Sequence, residues 1–96
     1  MIVWVLYDIS NDRARTKAAK VCKLAGLTRV QLSVFLGTTD KDRKDTLELQ
    51  LEGLIDENLD KVYLFTMNRD QLRHSRLLGQ AFDRRLINNE IRALFF

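Results

Sequence analysis

The sequence predicts an α+β domain in which strands and helices alternate in the order βαββαβ, followed by an additional C-terminal segment. Apolar runs of strand length recur along the chain, and amphipathic segments with helical spacing separate them. The 96 residues are enough for one hydrophobic core, so we treat residues 1–96 as a single domain. Because such a core is modest, we also expect the chain to form a homodimer.

The first predicted strand is the apolar run from Ile2 to Tyr7, which ends at Asp8. Both alternating sets of positions are apolar, as is typical of a central strand that is covered on both faces. A carboxylate at the end of such a strand must meet water or a cation, because an unpaired buried charge is costly. Asp8 is therefore either a turn or capping residue or a functional one, and its position alone favours the first interpretation.

Residues 12–25 form the first predicted helix, because small and apolar residues recur there at helical spacing and Gly26 follows. The opposite face carries Arg13, Lys17 and Lys20 about one turn apart. Such a stripe is either a solvated face or a surface that binds a polyanion. The absence of acids from this stripe supports the second interpretation.

The segment Thr28–Thr38 has the period of a strand. We expect one bent strand or two short strands joined by a bulge. One side carries Val30, Leu32, Val34 and Leu36, and the other carries Arg29, Gln31, Ser33 and Phe35.

A second amphipathic helix is predicted from Asp40 to Asn58, and another strand from Lys61 to Met67. The resulting order predicts the ferredoxin-like arrangement, in which helices pack on one side of an antiparallel sheet. The expected core face of the second helix consists of Leu47, Leu51, Leu54 and Ile55.

The C-terminal tail, about residues 72–96, has a less regular pattern. We expect an edge strand at His74–Leu78, a short helical turn at Asp83–Asn89 and a strand at Ile91–Phe96. The end of the chain is apolar and needs burial, so we expect it to dock on the sheet edge of its own or a partner subunit. A helix is an alternative for the last part, because three residues also fit helical spacing: Ile87, Ile91 and Leu94.

Charge is distributed unevenly along the chain. Residues 11–29 contain six basic residues and one acid, residues 40–60 eight acids and three bases, and residues 69–92 six arginines and three acids. Two basic regions around an acidic one predict a face that binds a polyanion such as nucleic acid. The candidate contacts are Arg13, Arg15, Lys17, Lys20, Arg29, Arg84 and Arg85.

Cys22 is the only cysteine, which excludes an intramolecular disulfide and suggests a reducing compartment. We interpret it as a small core residue. No apolar run is long enough to cross a membrane, so we expect a cytoplasmic protein without a membrane partner.

Two motifs together resemble the CRISPR-associated protein 2 family, the small dimeric subunit of the spacer-acquisition machinery. The first is Tyr7-Asp8-Ile9 at the end of the first strand, followed by a basic helix that ends at Gly26. The second is the segment 29–35, Arg-Val-Gln-Leu-Ser-Val-Phe, because the signature strand of the family pairs a Gln with Ser-Val-Phe in this spacing. The resemblance covers about residues 1–67.

The resemblance implies a ferredoxin-like homodimer in which two Asp8 residues face each other across the two-fold axis and ligate Mg²⁺ or another divalent cation. Lys17 departs from an arginine seen in some members, which keeps the charge but loses the bidentate fork. The resemblance also places residues at or beside the cleft or the dimer contact: Tyr7, Arg15, Arg29, Gln31, Ser33 and Phe35. An aromatic residue on a half-buried strand is usually core or dimer contact, and we favour that role for Phe35 over base stacking.

The chemistry of the residues is compatible with this implication. Magnesium needs only one or two protein carboxylates, and a two-fold axis supplies the second Asp8 that one chain lacks. His74, the only histidine, lies in an arginine-rich segment outside the matched region, so we do not assign it a catalytic role.

Three functional hypotheses follow. The chain is a dimeric scaffold that binds double-stranded DNA for the CRISPR integrase subunit, CRISPR-associated protein 1, or a metal-dependent endonuclease acting on DNA or single-stranded RNA, and these two are compatible. The third is a stand-alone toxin ribonuclease of the VapD type or a non-enzymatic small-molecule regulatory module. The acid-free basic stripe argues against the regulatory module, and the signature strand argues against the toxin.

Overall fold

The computed structural model describes residues 1–86 and 88–95, which form an antiparallel sheet with helices on both faces. The elements follow one another as β1 (Ile2–Asp8), α1 (Asp12–Leu24), β2 (Thr28–Gln31), β3 (Val34–Thr38), α2 (Lys41–Leu54), β4 (Lys61–Met67), α3 (Arg69–His74) and α4 (Asn89–Phe95).

The strand order is β2-β3-β1-β4, and all three neighbouring pairs are antiparallel. This order, with α1 and α2 on the same face of the sheet, confirms the predicted ferredoxin-like fold. β1 is a central strand, as its two apolar sides predict. Val3, Val5 and Tyr7 belong to the core under α1 and α2, whereas Ile2 and Trp4 belong to a second core on the other face.

Both long helices begin where the sequence supplies a capping side chain. The Asn11 side chain accepts a hydrogen bond from the Ala14 N–H at 2.9 Å, and the Asp40 side chain accepts one from the Arg43 N–H at 2.8 Å. α1 is followed by Gly26 at a φ of +93°, a conformation that glycine adopts without strain. Buried Cys22 lies on the core side of α1, and burial raises the pKa of its thiol to about 12.

α2 ends at Leu54, four residues before the predicted end. Ile55 is already extended, and the carbonyl oxygen of Asp56 accepts a hydrogen bond from the Asp60 N–H at 2.8 Å in a turn that leads to β4. Leu47 and Leu51 are buried as predicted, and the remaining two residues of the predicted core face, Leu54 and Ile55, are partly buried.

The segment Thr28–Thr38 forms two short strands, but they pair with each other as an antiparallel hairpin. A register irregularity lies between Arg29 and Gln31, and residues 32 and 33 form the turn. Leu32 was predicted to lie on the apolar side, and this was wrong because it occupies the turn and is exposed. The periodicity of a strand does not distinguish a bend from a reversal of the chain.

The tail differs most from its prediction. α3 occupies residues 69–74, and residues 75–78 have no strand, so the predicted edge strand His74–Leu78 was wrong. Residues 84–86 form the predicted turn, while Ile87 and Phe96 lie outside the described residues. The predicted strand Ile91–Phe96 was also wrong, because residues 89–95 form α4. The helical alternative was therefore correct for the described part of this segment.

The tail covers the second face of its own sheet rather than a sheet edge. Leu72 of α3 and Ile91 of α4 are buried against Trp4, and the ring of Phe82 stacks on that of Trp4 at 6.1 Å between centroids. Phe95 meets Phe82 edge to face at 5.4 Å. The expected burial of the apolar tail thus takes place within one chain.

β4 is an edge strand, and its outer half stays uncovered. Tyr63 and Phe65 pair in register with Leu6 and Trp4, so they lie on the second face, but they are 53% and 50% exposed. Their rings stack nearly parallel, with 6.4 Å between centroids.

Among the residues that the structure describes, no helix is long and apolar enough to span a membrane.

Candidate nucleic-acid cleft at the end of strand β1

A cleft of about 560 Å³ opens where β1 gives way to α1. The β2–β3 turn forms its other wall, because the Tyr7 N–H donates a hydrogen bond to the Ser33 carbonyl oxygen at 3.1 Å. The cleft is lined by Tyr7, Asp8, Ile9, Asp12, Arg15, Thr16, Arg29, Leu32 and Ser33. The structure therefore brings together five of the predicted site residues, which come from three separate elements and a turn.

Asp8 is the last residue of β1 and is exposed to solvent. Its strand partner in β4 is Lys61, yet among the described residues its carboxylate takes part in no ion pair within 4.0 Å. An accessible carboxylate without a partner is available to a cation. The sequence prediction that Asp8 meets water or a cation agrees with this position.

Arg15 projects from the first turn of α1 into the cleft. Its guanidinium donates to the Ile9 carbonyl oxygen at 3.1 Å and forms an ion pair with Asp12. These contacts hold the positive group beside the end of β1. Asp12 is thereby engaged by Arg15, which leaves Asp8 as the free carboxylate of this cleft.

Arg29 lies on the opposite wall, over a buried aromatic pair. Its guanidinium carbon is 5.1 Å from the centroid of the Phe35 ring, and Tyr7 stacks on Phe35 at 6.2 Å between centroids. The Arg29 Nε atom is buried and has no hydrogen-bond partner in the part of the chain that the structure describes. Arg29 therefore adds a positive charge to this wall of the cleft, while its Nε atom is enclosed by protein.

Phe35 is fully buried, which agrees with a core role rather than base stacking. Ser33 is in the turn of the hairpin and lines the cleft. Gln31 points away from it, because its side-chain amide donates to the Gln80 carbonyl oxygen in the tail. The two motif residues therefore have different neighbours although they lie two positions apart.

The loop after Asp8 is fixed by a contact that the sequence did not suggest. Asp60 Oδ1 accepts hydrogen bonds from the backbone N–H and the hydroxyl of Ser10, at 3.0 and 3.1 Å. The Ser10 N–H and then the Asp56 N–H lower the pKa of Asp60 below its usual range. The two residues are 50 positions apart, and neither local spacing nor charge pattern links them.

The remaining predicted basic contacts do not gather at the cleft. Lys17 and Lys20 lie along a groove between α1 and α2, and Arg13 is exposed on α1 without lining the cleft. In the tail, Arg84 is exposed. Arg85 forms a two-point ion pair with Asp83, at 3.1 and 2.8 Å, which lowers the pKa of Asp83. Arg15 and Arg29 are therefore the two predicted cations that the fold places next to Asp8.

The described residues contain no group of three or more acids, histidines or cysteines that could hold a metal ion. One chain thus contributes a single free carboxylate at the cleft. A hard cation such as Mg²⁺ accepts this ligand, but a site with two protein carboxylates requires a second copy of Asp8.

The fold and the cleft together define a small ferredoxin-like protein with a strand-end carboxylate beside two arginines. The family model for CRISPR associated protein Cas2 matches residues 1–74, and the chain belongs to this family.

Relatives of nearly full length support the assignment. A CRISPR-associated endoribonuclease Cas2 from Chloroflexus aurantiacus is 33% identical over 79 residues, covering 82% of this chain and 93% of the relative. One from Aeropyrum pernix is 32% identical over 81 residues, covering 84% and 88%. The crystal structure of Streptococcus pyogenes Cas2 is similar with a TM-score of 0.68 and 27% identity, and the match covers 82% of this chain and all of that one.

Proposed function

We propose that this chain acts in CRISPR adaptation as a homodimer that binds double-stranded DNA for the integrase subunit, and that its paired Asp8 residues form a magnesium-dependent nuclease site. The observation that carries the proposal is the cleft in which a free, exposed carboxylate stands beside Arg15 and Arg29. The relatives named as endoribonucleases support a phosphodiester as the substrate.

The proposed dimer is supported by the uncovered part of the second sheet face. Side chains alternate along β1, so Asp8 belongs to the same face as Leu6 and Trp4. Tyr63 and Phe65 lie beside those residues and are half exposed. A second copy that packs on these rings by a two-fold rotation brings its own Asp8 towards the first.

In this arrangement Asp8 from each chain holds the divalent cation. A bound magnesium ion would polarise the phosphodiester and lower the pKa of an attacking water. The Arg15 guanidinium, held by Ile9 and Asp12, places positive charge where a phosphate would lie. The Arg29 guanidinium lines the opposite wall and would add a second positive charge beside a bound phosphate.

Duplex binding in this proposal rests on phosphate contacts and is independent of sequence. The candidate contacts are Arg15 and Arg29, which line the cleft, together with the exposed residues Arg13 and Arg84. Each neutralised phosphate adds about 0.9 to the slope of log affinity against log salt concentration. Single-stranded RNA is an alternative substrate for the same cleft, because the contacts are to the backbone rather than to base edges.

Substitution of Asp8 by Asn tests the nuclease role. Asp8→Asn should lower magnesium-dependent cleavage of RNA or DNA by at least about 100-fold, since the neutral amide is a poor ligand for a hard cation. Asp42→Asn, an exposed aspartate on α2, is the matched control and should cleave at the wild-type rate. Cleavage by Asp8→Asn at the wild-type rate would remove Asp8 from the mechanism.

The same variant separates the enzyme from the scaffold. Duplex binding by Asp8→Asn should stay intact, because it depends on the arginines. We expect spacer acquisition with the integrase subunit to persist in this variant, since one shared ion without a general base is a weak catalytic arrangement. Loss of acquisition with intact duplex binding would instead make hydrolysis the biological activity.

A further inference from the structure

A groove runs between α1 and α2 on the side of these helices that faces away from the sheet. Its larger part has a volume of about 480 Å³, and a smaller part of about 260 Å³ continues it through Val21, Leu24 and Gln50. Both helices exceed 12 residues, so the groove runs beside surfaces about 20 Å long. The larger part is lined by Lys17, Lys20, Val21, Leu24, Leu49, Gln50, Gly53 and Leu54.

The groove is apolar where a solvated helix surface would be polar. Leu24 and Leu49 are 71% and 69% exposed, one on each helix. Gly53 lies in the last turn of α2, and a Cβ atom there would meet nothing within 4 Å. Glycine in a helix costs about 1 kcal/mol relative to alanine, and no contact within the chain explains it. The absence of a side chain at Gly53 makes the groove wider at this position.

The charge along the groove is positive. Among the described residues, Lys17 and Lys20 form no ion pair, whereas Lys41 and Lys44 of α2 are paired with acids of their own helix. The acids of α2 that make those pairs, Asp45 and Glu48, do not line the groove. Asp42 and Arg43 line its smaller part and carry opposite charges, so the net charge of the groove comes from the two lysines. Two unpaired lysines therefore lie beside exposed leucines.

We propose that this groove binds an amphipathic helical segment of a partner protein, with apolar residues on one side and acidic residues beside them. Leu24 and Leu49 contact the apolar side chains, the missing side chain of Gly53 admits the partner's backbone, and Lys17 and Lys20 pair with its acids. In this mode of recognition an amphipathic helix lies in a hydrophobic groove, and its apolar side chains at positions one turn apart contact the groove. The inference does not depend on the proposed nuclease site or on DNA binding at the cleft.

Charge complementarity identifies the occupant as acidic, and the leucines identify it as a protein segment. A sugar–phosphate backbone would satisfy the lysines but would leave both leucines without an apolar contact. A second copy of this chain would have to offer its acidic helix α2, whose acids are already partly paired with its own lysines. We therefore favour a different protein over nucleic acid or a second copy.

The test is selection of helical peptides on the purified full chain from a random displayed library, followed by fluorescence anisotropy with synthetic copies. The selected peptides should combine acidic residues with apolar residues at helical spacing. Leu49→Ser and Lys20→Glu should each weaken their binding by at least about tenfold. Leu59→Ser, at the same 69% exposure but outside the groove, and Lys23→Glu, on α1 outside the groove, should leave binding unchanged.

Two kinds of result would contradict the proposal: selected peptides of the wrong chemistry, or evidence for a different occupant of the groove. Basic or non-amphipathic peptides, or acidic ones that bind Leu49→Ser as well as the wild type, would overturn the proposal. If Leu49→Ser weakens duplex DNA binding, the groove binds nucleic acid instead. If Leu49→Ser reduces the mass of the assembly measured by light scattering, the groove binds a second copy of this chain. All substituted side chains are exposed, so the variants are expected to fold.

Discussion

The two faces of the sheet are covered in different ways. On one face, α1 and α2 cover a continuous core that includes Phe35 at zero exposure. On the other face, two short helices and the intervening tail cover Trp4 and its neighbours but leave Tyr63 and Phe65 half exposed. Asp8 belongs to this second, incompletely covered face.

This difference indicates that the two faces serve different purposes. The core under α1 and α2 is fully covered within one chain. The second face retains stacked aromatic rings that a monomer does not need to expose. It is therefore the face on which we expect association, and the proposed paired carboxylates lie at its margin.

The largest expected effect is at Phe35, in the core of the sheet face that α1 and α2 cover (the completed face). Phe35→Ala should lower the free energy of unfolding by about 3–5 kcal/mol, because it opens a cavity and removes the ring that contacts Tyr7 and Arg29. Phe65→Ala is the control on the other face and should cost less than about 1 kcal/mol in the monomer, because its ring is half exposed. Urea unfolding of both variants measures the contrast, and equal losses would contradict it.

The second expected effect concerns association. Replacing Tyr63 and Phe65 together by Ser should raise the dissociation constant of the homodimer by at least about tenfold, because buried aromatic residues dominate interface energies. Light scattering over a dilution series measures this constant. Replacing exposed Leu59, away from these rings, should leave the constant unchanged. A wild-type chain that stays monomeric at micromolar concentration would refute both the dimer and the paired-carboxylate site.

The third effect compares the helices that cover the two faces. Asn68 caps α3 by accepting from the Gln71 N–H at 2.8 Å, and the Gln71 side chain accepts from the Asn68 N–H at 2.8 Å. Asn68→Ala should cost about 1 kcal/mol and speed amide hydrogen exchange in α3 while α1 stays protected. Asn11→Ala removes the corresponding cap of α1, and we expect it to speed exchange over the whole completed face. If each variant speeds exchange equally in α1 and α3, the helices on the two faces unfold as one unit.

The smallest expected effect is a pH dependence at Asp60, which fixes the loop after Asp8 through Ser10. Hydrogen bonds lower the pKa of Asp60 in the folded state, so its contribution to stability is present above the unfolded value of about 3.9 and is lost as the pH falls through the folded value. Asp60→Asn should therefore be less stable than the wild type at pH 7, and the difference should shrink towards pH 3. Urea midpoints across this range test the prediction, with Asp42→Asn as the control. A difference that stays constant with pH would show that the Asp60 carboxylate is not the stabilising group.

Local patterns predicted the elements of the completed face well. The two-sided apolar run of β1, the helical spacing of α1 and the position of Asp8 are all properties of adjacent residues, and the structure agrees with each. The tail was harder because Ile91 and Leu94 fit either a strand or a helix. Burial against Trp4, far away in sequence, accompanies the helix.

The sequence by itself determined the alternation of strands and helices, the exposed acid at the end of β1 and the excess of positive charge on α1. Only the tertiary structure decided which cations reach that acid. Arg15 and Arg29 meet at the cleft because one lies in the first turn of α1 and the other lies over Phe35, whereas Lys17 and Lys20 line the groove beside α2. The physical reason is that periodicity reports which side of an element is apolar, while the neighbours of each polar side chain depend on how distant elements pack.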